Sequence, residues 1–236
     1  MENVPAFVSY TFVAITIAAL SFIISAVNAG AHEKRSNDPI IVLTILISWL
    51  FLTALLTFLG FTLDFAARPP RLFLLMILVI LPLIVLFSRK QSRAFFHRMP
   101  LTTLTYIHII RVPVELVLWW LASAGVVATQ MTFEGSNFDI LTGVTAPFAA
   151  VFLIGLKSKS KFAAIVWNIA GLALLANIVQ MAIRATPYFY DPEAFDQPNV
   201  AVFYFPFIWL PTFVVPAVLF SHLVCLYKLF TEKEEI

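Results

Sequence analysis

The sequence predicts an all-α integral membrane protein, a bundle of seven transmembrane helices. Of its 236 residues, 61% are hydrophobic and only 12% are charged, and its mean hydropathy of +0.94 lies well outside the range of soluble globular domains. The apolar residues fall into seven stretches, most of them near the ~20 residues that a helix needs to cross a bilayer. These stretches leave no room for a second domain, so residues 1–236 are predicted to form a single transmembrane domain.

The seven spans are predicted from the first and last residues of each apolar stretch. The first stretch is too long for a secretory signal peptide and no Lys or Arg precedes it, so it is predicted to stay in the protein. The sequence KSKSK at residues 157–161 predicts a sharp turn between the fifth and sixth spans. The approximate boundaries of the spans are 5–28, 39–63, 72–88, 101–128, 140–156, 162–183 and 201–229.

Lys and Arg are divided unequally between the two ends of the predicted bundle. Eleven of them follow the odd-numbered spans, whereas three follow the second and sixth spans. Cytoplasmic loops of membrane proteins carry the excess of these residues, so the N-terminus is predicted to be outside and the C-terminus cytoplasmic. The eleven are Lys34, Arg35, Arg89, Lys90, Arg93, Arg98, Lys157, Lys159, Lys161, Lys228 and Lys233, and the three are Arg68, Arg71 and Arg184.

The fourth span carries three ionisable side chains, His108, Arg111 and Glu115. At about 100° per residue they fall within an arc of about 60° on one helix face, so they can share one polar interior. A charged group at the bilayer centre costs ~2.5 to 3.5 kcal/mol, which makes such groups the best indication of function. Pro113 strengthens the indication, because it frees the carbonyl of Ile109 close to His108.

Counting residues from the predicted cytoplasmic boundary places two further polar side chains beside this face. His108 and His222 both lie about 7 residues, or ~10 Å, from that boundary, and Asn168 of the sixth span lies at a similar depth. The fourth, sixth and seventh spans are therefore predicted to enclose a polar cavity open to the cytoplasm. In it, the two histidines would contact a ligand or carry a proton, and Arg111 would hold an anionic group. Glu115, four residues on, would pair with Arg111 and balance its charge, and Asn168 would orient one histidine.

A second polar cluster is predicted toward the outside of the sixth span. Asn177, Gln180 and Arg184 share one helix face, and the acidic outer loops are near enough for Asp139 or Asp196 to supply a carboxylate to Arg184.

The seventh span contains three prolines at intervals of five residues. Pro206, Pro211 and Pro216 free the carbonyls of Val202, Phe207 and Thr212. This helix is therefore predicted to be kinked or locally widened.

Three classes of function are compatible with these residues. The favoured class is a membrane protein that binds a small molecule, a lipid headgroup or an ion for transport or sensing. The second is a haem- or metal-binding redox protein with His108 and His222 as ligands. The third is a structural or accessory subunit in which the same groups only hold helices together.

Other classes lack the residues that they need. A retinal protein needs a Lys in the middle of the seventh span, but Lys228 lies at its cytoplasmic end. The sequence contains no GxSxG, HExxH or nucleotide-binding motif, so an enzyme is not favoured. With the single Cys225 there is no internal disulfide and no Cys-based zinc site. The net charge of +2 gives no argument for nucleic acid, so membrane lipids are the expected partners, and the oligomeric state stays open.

Three stretches of the second half resemble an uncharacterised bacterial family of small seven-span inner-membrane proteins. They are YIHIIRVPVEL (Tyr106 to Leu116), MTFEGSNFDILTGVTAP (Met131 to Pro147) and FDQPNVAVFYFPFIWLPTFVVPAVLFSHL (Phe195 to Leu223). The resemblance covers roughly the last 130 residues. It implies a bacterial inner-membrane setting and no particular activity or site.

Overall fold

The computed structural model describes residues 1, 3–31, 37–155 and 160–231, and within these ranges the chain forms helices and turns without a β-strand. Most of the predicted turn at residues 157–161 lies outside the described residues. The same is true of five of the basic residues that predicted the orientation, namely Lys34, Arg35, Lys157, Lys159 and Lys233.

Eight helices make up the described part of the chain. Six of them are long and apolar enough to cross a membrane, while α4 is short and α6 is apolar but shorter than the others. In chain order the helices are α1 (Ala6–Gly30), α2 (Asp38–Phe58), α3 (Arg71–Ser88), α4 (Lys90–Arg98), α5 (Leu101–Ser123), α6 (Ile140–Gly155), α7 (Lys161–Arg184) and α8 (Leu210–Thr231).

Helices α5 and α8 form the centre of the bundle. In their most apolar windows 56% and 61% of residues are buried, against 17% for α2 and 11% for α3. Helix α8 packs against α7 and against the first part of α5, while α1 and α6 pack along α5. The side chains of α2 and α3 are mostly exposed, as lipid-facing apolar helices would be.

Two predicted spans end earlier than their apolar stretches, because a glycine in the left-handed region stops each helix. The fourth span was predicted to reach residue 128, but α5 ends at Ser123, where Gly125 has φ +80°. The Gly125 N–H then donates to the Ala122 carbonyl at 2.9 Å. The second span was predicted to reach residue 63, but α2 ends at Phe58, just before Gly60 with φ +74°. Such glycines are typical helix terminators.

The last helix begins nine residues later than the predicted start at residue 201. Residues 201–209 form turns, and α8 begins at Leu210 with a wide, π-helical turn over Leu210–Val214. Proline has no N–H to continue a helix. Pro206 and Pro211 therefore account for the late start of α8 and for its wide first turn. The carbonyl of Thr212, which Pro216 frees, accepts a hydrogen bond from Trp49 Nε1 of α2 at 2.9 Å.

The basic segment between the third and fourth spans forms the short helix α4. Its Phe96 is buried, and its Arg98 donates from Nε to the Gly30 carbonyl at the end of α1 at 2.8 Å. Lys228 of α8 donates from Nζ to the carbonyl of Met99, the residue that follows α4, at 2.6 Å. Three helices are therefore tied together at this end of the bundle.

Replacing Gly143 with alanine should destabilise the protein by ~1 to 3 kcal/mol. A Cβ at Gly143 would lie 2.9 Å from both Cγ2 and the backbone N of Val112, so α5 and α6 would have to separate. Unfolding in mixed micelles, titrated with SDS, measures the effect. Ala170→Ser, at an exposed position of α7, adds one heavy atom as the control. Equal stability of Gly143→Ala and wild type would contradict the close crossing.

Candidate functional site

The rings of His108 and His222 stack face to face in the interior of the bundle. Their centroids lie 3.8 Å apart with an angle of 27° between the planes, and both residues are fully buried. His108 lies in a 3₁₀ turn of α5, Ile107–Ile110, just before Pro113. Trp167 of α7 approaches His108 edge-on at 5.4 Å. The structure therefore brings together the two histidines that depth counting placed at one level.

The orientation of His222 is fixed by a hydrogen bond at each ring nitrogen. Nε2 faces Arg111 Nη1 at 3.4 Å, and Nδ1 faces the Oδ1 of Asn168 at 2.9 Å. Because a guanidinium can only donate, Nε2 accepts, and Nδ1 carries the proton that it donates to Asn168. Asn168 in turn donates from Nδ2 to the Ala164 carbonyl at 2.9 Å. This arrangement requires a neutral His222 in a single tautomer.

Arg111 is held by three segments of the chain. Its Nε lies 2.9 Å from the Oδ2 of Asp139, and its Nη2 donates to the Gly171 carbonyl at 3.3 Å, besides its contact with His222. The ion-pair partner of Arg111 is thus Asp139 in the loop before α6 and not the predicted Glu115 of the same helix. Asp139 is 6% exposed and Arg111 is 3% exposed, so the pair is screened little by solvent.

Glu115 is bound by Asn137, which is not one of the predicted site residues. The Nδ2 of Asn137 donates to Glu115 Oε1 and to the Met131 carbonyl, and its Oδ1 accepts from the Asp139 N–H at 3.0 Å. Asn137 therefore binds the Glu115 carboxylate and the backbone of Asp139. In the sequence, only one feature could have indicated Asn137: it lies two residues before Asp139, at the start of an apolar helix.

Several buried polar atoms of this cluster have no hydrogen-bond partner within the described residues. They are Nδ1 and Nε2 of His108, Nε of Arg111, Oε2 of Glu115 and Oδ1 of Asp139. Arg111 Nε lies within ion-pair distance of Asp139 without a hydrogen bond to it. An unsatisfied buried polar group costs about 1 to 3 kcal/mol, and most buried polar groups in proteins are paired.

The predicted outer cluster is not assembled. Asp139 contacts Arg111, and Asn177 donates to the Ser136 carbonyl at 3.0 Å. Gln180 is exposed. The Arg184 guanidinium lies over the Phe195 ring at 5.8 Å, so an aromatic face takes the place of the predicted carboxylate.

The histidine side of the cluster is buried. His108, His222 and Asn168 are each 0% exposed, so no open cavity reaches these three residues in the structure. A cavity of about 80 Å³ reaches the cluster from the opposite side, where Glu115 and Asp139 are part of its lining.

The geometry of the histidine pair does not fit the alternative of haem or metal ligation. The lone pairs of a ring nitrogen lie in the ring plane, so face-to-face rings do not direct two nitrogens at one atom between them. Both nitrogens of His222 already face Asn168 and the Arg111 guanidinium. Among the described residues, no group of three or more His, Cys, Asp and Glu side chains is arranged to hold a metal ion.

His108→Phe and His222→Phe should differ in their effect on stability. The first keeps the stacking and removes no hydrogen bond, so the free energy of unfolding should change by less than ~1 kcal/mol. The second leaves Asn168 and Arg111 each without one partner and should lower it by ~2 kcal/mol or more. Unfolding in mixed micelles measures both variants. A larger loss for His108→Phe than for His222→Phe would contradict the assigned contacts.

Replacing one member of the Arg111–Asp139 pair should cost more than replacing both. Asp139→Asn leaves the guanidinium without its counter-ion and should lower the free energy of unfolding by ~3 to 5 kcal/mol. Arg111→Met together with Asp139→Asn should be less destabilising than the sum of the single changes. Asp191→Asn, in an exposed loop, is the control. Additive effects in the double-mutant cycle would show that the two residues do not interact.

The family of the chain follows from one comparison. No curated protein and no solved structure matches the chain. A family model described as "domain of unknown function (DUF8737)" matches residues 69–230, which include α3 to α7 and most of α8, and so contain every residue of the cluster described above. The protein belongs to this uncharacterised family.

Proposed function

We propose that this protein is a seven-span membrane protein that binds a small charged solute at the buried cluster of α5, α6, α7 and α8 and transports it. The observation that carries the proposal is the incomplete satisfaction of this cluster. Carboxylate oxygens of Glu115 and Asp139 and both nitrogens of His108 are buried and have no hydrogen-bond partner in the part of the chain that the structure describes. A purely structural network would be expected to satisfy its groups, because a partly satisfied one is less stable than an apolar core.

The proposal includes a topology. Helix α6 is the seventh span, beside the six longer helices, and its length of on the order of 24 Å is close to the hydrocarbon thickness of a thin membrane. The N-terminus lies outside and the C-terminus in the cytoplasm, because basic residues follow the odd-numbered spans. We place the protein in a bacterial inner membrane, an assignment that rests on the resemblance described above.

Binding would take place near the middle of the bundle. His222 and Asn168 form the hydrogen-bonded half of the cluster, and in the proposal they hold it rigid together with the Arg111–Asp139 ion pair. Glu115, Asp139 and His108 form the unsatisfied half, and in the proposal they exchange contacts with the solute. Ionisable groups that face a bundle interior mark ion and proton pathways in many membrane proteins.

Flux through reconstituted protein tests the proposal. Proteoliposomes should take up radiolabelled sodium, rubidium or chloride, or acidify as read by an enclosed pH-sensitive dye, faster than empty liposomes. Glu115→Gln should reduce that flux by about tenfold or more, equivalent to ~1.4 kcal/mol of interaction with the solute. Glu134→Gln, which changes an exposed carboxylate of the adjacent loop, is the matched control.

Two outcomes would contradict transport by this cluster. One is the absence of flux above that of empty liposomes for all four probes, which would favour a structural role. The other is an equal reduction by Glu134→Gln and Glu115→Gln, which would assign the effect to surface charge.

A further inference from the structure

Glu115 is a buried carboxyl group that is bound by an amide and not by a positive charge. It is 1% exposed, and its Oε1 accepts a hydrogen bond from Asn137 Nδ2. Its Oε2 has no hydrogen-bond partner among the described residues. The guanidinium of Arg111, one turn earlier on α5, forms its ion pair with Asp139 at 2.9 Å. The positive charge nearest in sequence to Glu115 is therefore already paired with another carboxylate.

The charges of the cluster balance when Glu115 carries a proton. Arg111 contributes one positive charge, and its partner Asp139 contributes one negative charge. His222 is neutral by its hydrogen bonds, and no carboxylate of the described residues forms an ion pair with His108. A buried charge without a counter-ion is so costly that such groups take the neutral form instead. Glu115 is therefore expected to be a carboxylic acid, with the proton on Oε2.

The other surroundings of Glu115 also favour the neutral acid. Glu115 and Asp139 are part of the lining of the small cavity beside the cluster, and the rest of that lining is uncharged. It comes from α3, α5, α7, α8 and the segments next to them, and it is apolar except for Thr186 and Asn199. The negative charge of Asp139 opposes a second one on Glu115, and apolar walls do not solvate it.

The cavity follows α7 toward its C-terminal end. On this helix it is lined by residues from Leu175 to Thr186, which corresponds to a length of ~16 Å. Asn199 belongs to the far end of the lining, where its Nδ2 donates to the Ala182 carbonyl at 3.3 Å. The volume of about 80 Å³ can hold a few water molecules. It is far below the about 300 to 1,000 Å³ of sites for drug-sized ligands. A cavity of this size suits the exchange of a proton with Glu115 better than the passage of an organic solute.

We propose that the solute of the buried cluster is the proton, bound by Glu115 as a neutral carboxylic acid and exchanged through the cavity along α7. This inference rests on the proposed function, because it names the solute of the same cluster. On release, the O–H bond of Glu115 breaks, its electron pair stays on the carboxylate, and the proton passes to a water molecule in the cavity. Asn137 acts as a positioning residue, since its donation to Oε1 leaves Oε2 for the proton.

Infrared difference spectroscopy between neutral and alkaline pH tests the site on the purified full-length protein in detergent, without a transport assay. A protonated carboxyl group has a C=O band that an ionised carboxylate lacks, and exposed Asp and Glu side chains are ionised at neutral pH. The wild type should show this band at neutral pH and lose it reversibly at alkaline pH. Labelling the side-chain carboxyl of glutamate with ¹³C should shift the band, whereas labelling that of aspartate should not.

Two pairs of variants locate the proton and its path. Glu115→Gln should remove the band, and Glu134→Gln, at an exposed carboxylate, should keep it. Transfer to D₂O should shift the band as the proton exchanges. Ala182→Leu narrows the cavity and should slow this exchange by about tenfold or more, equivalent to ~1.4 kcal/mol in the barrier. Ala170→Leu, at an exposed position of the same helix, should exchange at the wild-type rate. If Glu115→Gln does not fold, the labelled wild type still decides the matter.

The possible results separate the proton site from transport. Absence of the band, its persistence in Glu115→Gln, or a shift with labelled aspartate alone would overturn the site. Equal exchange rates in Ala182→Leu and the wild type would overturn the path along α7. A band assigned to Glu115 without proton flux in proteoliposomes would support the site and overturn transport by this cluster. Flux of sodium or rubidium by a protein without the band would support transport and overturn the proton as its solute.

Discussion

The ion pair of Arg111 and Asp139 is the interaction on which the interior of the bundle depends. A guanidinium with 3% of its side chain exposed needs a counter-ion, because an unpaired charge in a low-dielectric interior is costly. Asp139 provides it from the loop before α6, while α7 and α8 provide an acceptor each through Gly171 and His222. One side chain of α5 therefore contacts three other segments, and Asp139 and His222 are held by it directly.

Around this pair the cluster divides into two parts with different physical character. The part near Asn168 is fully hydrogen-bonded, and each contact there restricts the orientation of the next. The part near Glu115 and His108 retains unused acceptor and donor capacity. Packing alone does not require ionisable residues at these positions, because apolar residues of similar volume are often as stable or more stable. This asymmetry is the observation from which solute binding is proposed above.

The all-helical architecture and its long apolar helices could be predicted from the sequence, because apolar length indicates helices long enough to span a membrane and periodicity indicates a shared helix face. The number of seven spans and their orientation stay predictions. An α-helix rises by a constant length per residue, so the number of residues from the predicted membrane boundary also placed His108, His222 and Asn168 at one depth. This count could not identify the partner of Arg111, since helical spacing compares residues of one helix and Asp139 lies in a loop that folds inward. Hydropathy also misplaced helix ends at Gly60 and Gly125, where backbone conformation rather than polarity stops the helix. The ligand-binding roles given to the cluster residues stay predictions.

The hydrogen bond from Trp49 to the Thr212 carbonyl joins residues 163 positions apart, and a reciprocal bond from Trp209 Nε1 to the Leu50 carbonyl at 3.0 Å lies beside it. Lipid offers no donor for a carbonyl that a proline has released. The widened first turn of α8 is therefore completed by a donor from α2. A helix early in the chain supplies the N–H that Pro216 of the last helix cannot give.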